Sequence, residues 1–472
     1  MDLTKKIIVN KLARFLRYHL RQFIRSEGSY VQQPPNYNAK DLGRYKDLGR
    51  GPFIDFYRDL AARTGHASNA GPWGRLKAFV RNPRNALRYI AHSLRYIFNG
   101  RQEYQTYPVG GGICSVADKF LLSVAGDWGT GTDEAEEVTR RMASREPDYT
   151  IHLGDVYYIG DKPEIETNCL GVPTHHHSGV YWRHGTKGSF GLCGNHEMYA
   201  CGTAYFKTFL PTLGPKGGNG QEASFFCLRN KHWRIIGIDT GYNSVGWAGA
   251  LNAFLQVDSF RALVHALRGK SSCRLHPMLL DWLKTVVVPN EDGTEPATIL
   301  LSHHQYFSGF DFWYTLPAKQ LHRHFKKDHP VLWFWGHEHR FAVYGQHGVR
   351  RAIQAHGRCV GHGGMPVERG IAPFIPEAPC LYYDDRSYPN KEGIDVGYNG
   401  WVDLAFDGPK LIVNYFDLTD TLLLTEEWWT DDKGMLSGPT FSNMNGLTLG
   451  PALGGPSSST WQTFVDWIKA LT

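Results

Sequence analysis

Five short apolar runs in this chain each break off at a glycine or serine followed at once by side chains that can hold a metal or move a proton. Phe120 to Ala125 stops at Gly126-Asp127-Trp128-Gly129, and Tyr149 to Leu153 stops at Gly154-Asp155-Val156-Tyr157-Tyr158. Ser189 to Cys193 stops at Gly194-Asn195-His196-Glu197, Thr298 to Leu301 at Ser302-His303-His304, and Val331 to Trp335 at Gly336-His337-Glu338-His339. A further run, Arg234 to Ile238, ends at Asp239. Short, largely apolar runs read as buried strands, and glycine lets the backbone turn sharply where four of them end. Between the first two, Asp133 to Glu146 reads as a helix, with acids in its first turn and Arg140, Arg141 and Arg145 later, matching the helix dipole. Alternating strands and helices predict a layered α/β fold, in which loops past the strands' carboxyl ends converge on one crevice. Taken singly, an Asp at a strand end is commonly a turn former or cap, and a His there is often only hydrogen-bonded. Five such clusters in order are not explained that way.

The chain of 472 residues, 42% hydrophobic and 20% charged, can bury a large core and is long enough for more than one folded unit. No run of about 18 apolar residues occurs, and the N-terminus shows no separate apolar region with a cleavage site. Eight cysteines are scattered without metal-type pairs, which suits free thiols in a reducing compartment. These features lead us to expect an unsecreted, cytoplasmic protein. The 14 Trp and 24 Tyr read as packing rather than base stacking, and no nucleic-acid motif accompanies them, so no nucleic-acid partner is expected.

Charge divides the chain. Residues 1–110 hold 20 Lys plus Arg against 7 Asp plus Glu, whereas the remainder holds 31 against 38. Leu3 to Ile24 has apolar residues at helical spacing with Lys and Arg between them, and a second helix is predicted from Pro83 to Phe98, capped by Asn82. This basic helical flank, residues 1–112, is read as packed on the main domain through its apolar stripe. The competing reading is an arm on an anionic membrane surface, making the protein membrane-peripheral. Residues 113–430 form the expected main domain, whose C-terminal part predicts a hairpin of Trp401 to Phe406 with Leu411 to Phe416, continued by Leu422 to Trp429, so the sheets are mixed. Residues 431–472 are expected to be a Gly/Pro/Ser-rich linker and a short helix around Trp461 to Leu471. The run His175-His176-His177 is read as loop rather than a third metal site, and Gly361 to Pro366 as a turn-rich segment that could line the pocket.

Asp127, Asp155, Tyr158, Asn195, His303, His337 and His339 supply carboxylates, a phenol, an amide oxygen and imidazoles, enough for two metal ions close together. The ordered set Gly-Asp-Trp-Gly, Gly-Asp-x-x-Tyr, Gly-Asn-His-Glu, a strand ending in His303, and Gly-His-x-His resembles the calcineurin-like metallophosphoesterases, and within them the purple acid phosphatase type. Most of that superfamily has Asp-x-His in the first motif. The purple type lacks that His and uses the Tyr of the second motif, as Gly129 and Tyr158 do together here.

The resemblance implies a four-layer α/β/β/α sandwich with mixed sheets. It implies Fe(III) held by Asp127, Tyr158 and His339, then Fe(II), Zn or Mn held by Asn195, His303 and His337, with Asp155 between the two ions. His196 is then a proton donor near the leaving group. The implied activity is hydrolysis of a phosphorylated small molecule, a phosphomonoester above all, with water made hydroxide by the metals as nucleophile. Diester or anhydride hydrolysis on the same site is the alternative, and a metal-bound scaffold without turnover is the reading from another class. The fourth motif departs from the usual Val-x-x-His, being Leu300-Leu301-Ser302-His303 followed directly by His304. Strand alternation points these two imidazoles in different directions, so only one should reach the metals; alignment with the family's motif makes that one His303, and His304 is expected against the substrate.

Overall fold

The computed structural model describes residues 92, 95, 100–157, 159–174, 178–245, 273–326, 328–370, 372–389 and 395–453, and each of the six apolar runs contains a strand. In chain order come β1 (Ile113–Ser115), β2 (Lys119–Ala125), α1 (Asp133–Ser144), β3 (Tyr149–His152) and α2 (Lys162–Asn168). Then follow β4 (Gly188–Gly191), α3 (Asn195–Tyr199), β5 (Gly214–Pro215), β6 (Phe226–Arg229), β7 (Trp233–Gly237) and α4 (Pro277–Val286). The next elements are β8 (Ala297–Ser302), α5 (Thr315–Leu321), β9 (Val331–Trp335), β10 (Phe341–His347), β11 (Ala355–Val360) and β12 (Cys380–Tyr383). After a small hairpin, β13 (Ser387–Pro389) with β14 (Asp395–Gly397), the chain closes with β15 (Gly400–Asp407), β16 (Lys410–Asp417), β17 (Leu422–Thr430), β18 (Leu436–Ser442) and β19 (Thr448–Leu449).

Among the described residues these strands make two large sheets, β18-β17-β16-β15-β2-β3-β4-β5 and β1-β6-β7-β8-β9-β11-β10-β12-β19. Both are mixed: β2, β3 and β4 run parallel beside the antiparallel β15 to β18, and β7, β8, β9 and β11 run parallel beside β10. The side-chain period of two decides which layer each residue enters. Leu332 and Phe334 of β9 join Leu122, Val124 and Ile151 of the other sheet in one buried cluster, while Val331, Trp333 and Trp335 join helix residues in a second. That second cluster takes Val138 and Met142 from α1 and Leu279 and Leu283 from α4. Strands so placed are apolar on both faces, which is why their sequences run apolar without alternation. The layers are therefore helix, sheet, sheet, helix. Thr132 caps α1 by accepting from Ala135 N at 3.1 Å.

One charged pair interrupts the inter-sheet layer. The Arg358 guanidinium on β11 donates through Nε and Nη2 to the two oxygens of Glu426 on β17, each at 2.7 Å, with both side chains fully buried. Glu426 also accepts from Tyr415 Oη at 2.7 Å and Trp428 Nε1 at 2.8 Å.

The expected linker is corrected in part: Leu436–Ser442 pairs antiparallel with β17, and Thr448–Leu449 pairs with β12, so this segment adds an edge strand to each sheet. An edge strand tolerates Pro439 and Gly438 because one side of its backbone needs no ladder partner. The Leu3 to Ile24 helix, the His175-His176-His177 run and the Trp461 to Leu471 stripe lie outside the described residues. Of the second predicted helix, His92 and Arg95 are helical, and the His92 carbonyl accepts the Cys201 thiol at 3.6 Å while its ring lies 3.7 Å from Asp161. No helix among the described residues is long and apolar enough to cross a membrane.

Candidate metal centre

The carboxyl ends of β2, β3 and β4 on one sheet face those of β8 and β9 on the other, and the polar clusters meet across this seam. Three residues there hold the left-handed backbone that non-glycine residues seldom adopt: Asp127 at φ 57°, Asp155 at φ 71° and His337 at φ 68°. The turns are pinned from behind. Gly363 N donates to Gly126 O at 2.9 Å and Met365 N to Asp127 O at 3.0 Å, so the Gly361 to Pro366 segment buttresses the first motif. Gly154, at φ +100°, and Gly194 interlock: a Cβ at Gly154 would lie 2.7 Å from Gly194 N, and one at Gly194 would lie 2.0 Å from Asp155 Oδ1. Glu197 ties the second and third motifs together by accepting from Gly194 N at 2.7 Å, Val156 N at 2.6 Å and Asp155 N at 3.3 Å.

The donors fall into two groups that share one carboxylate. Tyr157 Oη donates toward Asp127 Oδ1 at 2.7 Å and Asp155 Oδ2 at 3.1 Å, and lies 3.1 Å from His339 Nε2. On the other side, His303 Nε2 is 3.2 Å from Asp155 Oδ2, 3.2 Å from Asn195 Oδ1 and 3.2 Å from His337 Nδ1. Asp127 Oδ2 accepts the His337 N–H at 2.6 Å. His196 donates its backbone N–H to Asp155 Oδ1 at 3.0 Å and keeps its ring Nε2 3.8 Å from Asp155 Oδ2.

Burial sets the charge state of the protein alone. It pushes the Asp127 carboxyl up to about 7, helped by the Asp155 charge and opposed by His303. Burial works the same way on Asp155, but the imidazoles of His303 and His196 outweigh it and hold that carboxyl well below its usual range. His303 loses to burial and gains more from Asp155, ending raised to about 9. Burial, then the Asp127 and Asp155 charges, hold the Tyr157 phenol well above its usual value, and burial takes His339 down to about 4. Buried carboxylates leaning on imidazoles for compensation are the surroundings a cation satisfies more completely. Carboxylate and phenol oxygens with one imidazole suit a hard ion, and the amide oxygen with two imidazoles suits a softer divalent one. Asp127, Asp155 and His303 each offer a ligand atom within 4.8 Å of the others, as do His303, His304 and His337.

Of the residues expected from sequence, Asp127, Asp155, Asn195, His303, His337 and His339 are brought together, and His196 flanks them. Tyr158 lies outside the described residues; the phenol found among the donors is that of its neighbour, Tyr157. His304 departs from the alternation argument. Its ring is perpendicular to that of His303 at 4.8 Å but joins the same cluster, 4.5 Å from the His337 ring, because β8 ends at Ser302 and the period lapses there. Thr240 Oγ1 holds it, accepting its backbone N–H at 3.0 Å and meeting Nδ1 at 3.1 Å. Sequence reasoning missed Glu197, whose Gly-x-x-Glu spacing is a capping-box signal, and also Thr240 and Tyr314, which carry no such signal.

In the solved structures, a purple acid phosphatase, PPD1, from yellow lupin (Lupinus luteus) seeds is 14% identical, with 68% of this chain and 56% of that one covered and a TM-score of 0.42. This chain thus spans little over half of the lupin protein. GAP50, described as the anchor in the inner membrane complex of Plasmodium, is 10% identical over 67% of this chain and 90% of that one, with a TM-score of 0.40. PhoD is 11% identical over 70% and 73%, with a TM-score of 0.39. No curated protein matches in sequence. The family model of the calcineurin-like phosphoesterases matches residues 122–341, from the strand before Asp127 to the strand after His339. That span contains both halves of the seam and every donor gathered there, and over it this chain is similar to the calcineurin-like phosphoesterases.

Proposed function

We propose that this domain hydrolyses phosphomonoesters at a dinuclear centre of the purple acid phosphatase type. Asp127, Tyr157 and His339 would hold one ion, Asn195, His303 and His337 the other, and Asp155 both. The observation that carries this reading is the position of Asp155 Oδ2, 3.1 Å from Tyr157 Oη and 3.2 Å from His303 Nε2, so that one oxygen touches both donor groups. Gly129 supports the purple type. A Cβ there would lie 2.8 Å from Asp155 O and 2.8 Å from Val156 Cα, leaving no room for the His of an Asp-x-His motif. When bound, such ions supply Lewis acidity toward phosphate oxygens and bring the proton of water within reach of neutral pH.

The chain's own residues do the rest. The Asp155 carboxylate is oriented by the His196 backbone N–H, and Glu197 fixes the turn that carries it. The His196 ring, 15% exposed and 4.3 Å from the Tyr157 ring, sits at the mouth of the centre, where Nε2 can hand a proton to a departing alkoxide. His304, held by Thr240, stands beside His337 as a contact for substrate oxygens.

Metal analysis of the purified protein, with turnover measured on phosphomonoesters, diesters and anhydrides, tests the proposal. Two ions per chain including iron, and fastest turnover on monoesters, are expected. A protein that binds both ions but cleaves only diesters would overturn the substrate class, and one without turnover on any of the three would overturn the enzymatic reading.

A further inference from the structure

We propose that Tyr314 is a positioning residue for the second ion, its hydroxyl accepting the Nε2–H of His337 so that the Nδ1 lone pair of that ring faces the donor group. This rests on the reading above that His337 is a ligand. An imidazole that binds a metal through one nitrogen carries its proton on the other, and that N–H needs an acceptor to fix ring orientation and tautomer. His337 presents Nδ1 to the centre, 3.2 Å from His303 Nε2, and presents Nε2 outward, 3.5 Å from Tyr314 Oη. A bound cation draws electron density from the ring and makes that N–H a stronger donor.

The phenol is held in place from three sides. Its backbone N–H donates to Gln305 O at 3.3 Å, and α5, which starts one residue later, is anchored by buried Ala318 and Leu321. Its ring meets the His304 ring edge-on at 5.0 Å and the His337 ring at 5.8 Å. Tyr314 thus stands outside the donor group, against the outer nitrogen of one of its members.

Full-length wild type, Tyr314→Phe and Tyr314→Ala, stripped of metal, are titrated with Zn(II) against a chromophoric chelator. Wild type should take two ions. Tyr314→Phe, which keeps the ring and loses only the acceptor, should keep the first affinity and lose about 10–100-fold at the second, the usual effect of removing a ligand's outer partner. Tyr314→Ala should lose at least as much. Equal second-site affinity in wild type and Tyr314→Phe overturns the proposal, because ring packing alone then suffices. Wild type that itself takes fewer than two ions fails the dinuclear reading instead, and the two failures are thereby told apart. An independent measurement uses the wild type only: nitrogen NMR of histidine-labelled, zinc-loaded protein should find His337 protonated at Nε2, and protonation at Nδ1 overturns the proposal whatever the variants do.

Discussion

The Tyr157 hydroxyl sits within 3.1 Å of two carboxylates and an imidazole, and burial with those carboxylates keeps its proton on in the protein alone. A trivalent ion reverses that balance, and a phenolate bound to Fe(III) absorbs visible light by charge transfer. Oxidised wild type should therefore be coloured. Tyr157→Phe should lose the visible band with the fold intact by circular dichroism, while Tyr158→Phe should keep it; the opposite pattern would return the ligand role to Tyr158. The sequence reading named Tyr158, which fits Gly-Asp-x-x-Tyr by count and lies outside the described residues, so the paired variants decide between the two adjacent phenols. His196 gives a second outcome at this scale. His196→Ala should lower turnover by about 10²–10⁴-fold on substrates with poor leaving groups, less on good ones, and leave metal content near normal. Loss of metal in this variant would make His196 a ligand.

Between the two sheets, Arg358 of β11 and Glu426 of β17 form a fully buried fork that ties elements far apart in the chain. Replacing such a pair by apolar residues can be neutral, but removing one partner strands a charge, at a cost of about 3–5 kcal/mol. Arg358→Met should thus move the urea midpoint to match a loss of that size, despite the hydrogen bonds Glu426 keeps with Tyr415 and Trp428. A change under about 1 kcal/mol would mean Glu426 is neutralised by other means. Nothing in the sequence marked this pair, since the partners lie 68 residues apart and neither has an opposite charge within its own strand. The elements themselves were legible: β2, β3, β7, β8 and β9 by apolar runs, β15 and β16 as the predicted hairpin. The edge strands β18 and β19 were not. Leu436-Ser437-Gly438-Pro439 lacks β-branched residues, and a two-residue strand is too short to show a period.

At three buried imidazoles spread over the molecule, acid is the vulnerable direction. Burial takes His152 down to about 3, His356 to about 3 and His362 to about 4, so all three are neutral in the native protein at any mild pH. Folded values below the ordinary 6.5 mean that their stability is fully present above about pH 6.5 and is lost as pH falls toward the folded values. By pH 4.5 each costs on the order of 2 kcal/mol, so His356→Gln should shift the pH dependence of the melting temperature between pH 6.5 and 4.5 toward greater relative stability in acid than wild type shows. An unchanged slope in the variant would show that His356 is protonated in the native state. The seam has another implication. Because Asp127, Asp155 and Asn195 come from one sheet and His303, His337 and His339 from the other, ions seated there act as a rivet through the sandwich. The unfolded chain, with its donors scattered from 127 to 339, offers no such seat. Mass action then puts the whole binding energy into cohesion between the layers, about 2.7 kcal/mol when free metal is a hundred times the dissociation constant. A chelator should accordingly speed amide exchange along β2, β3, β8 and β9 together, the two layers loosening as one.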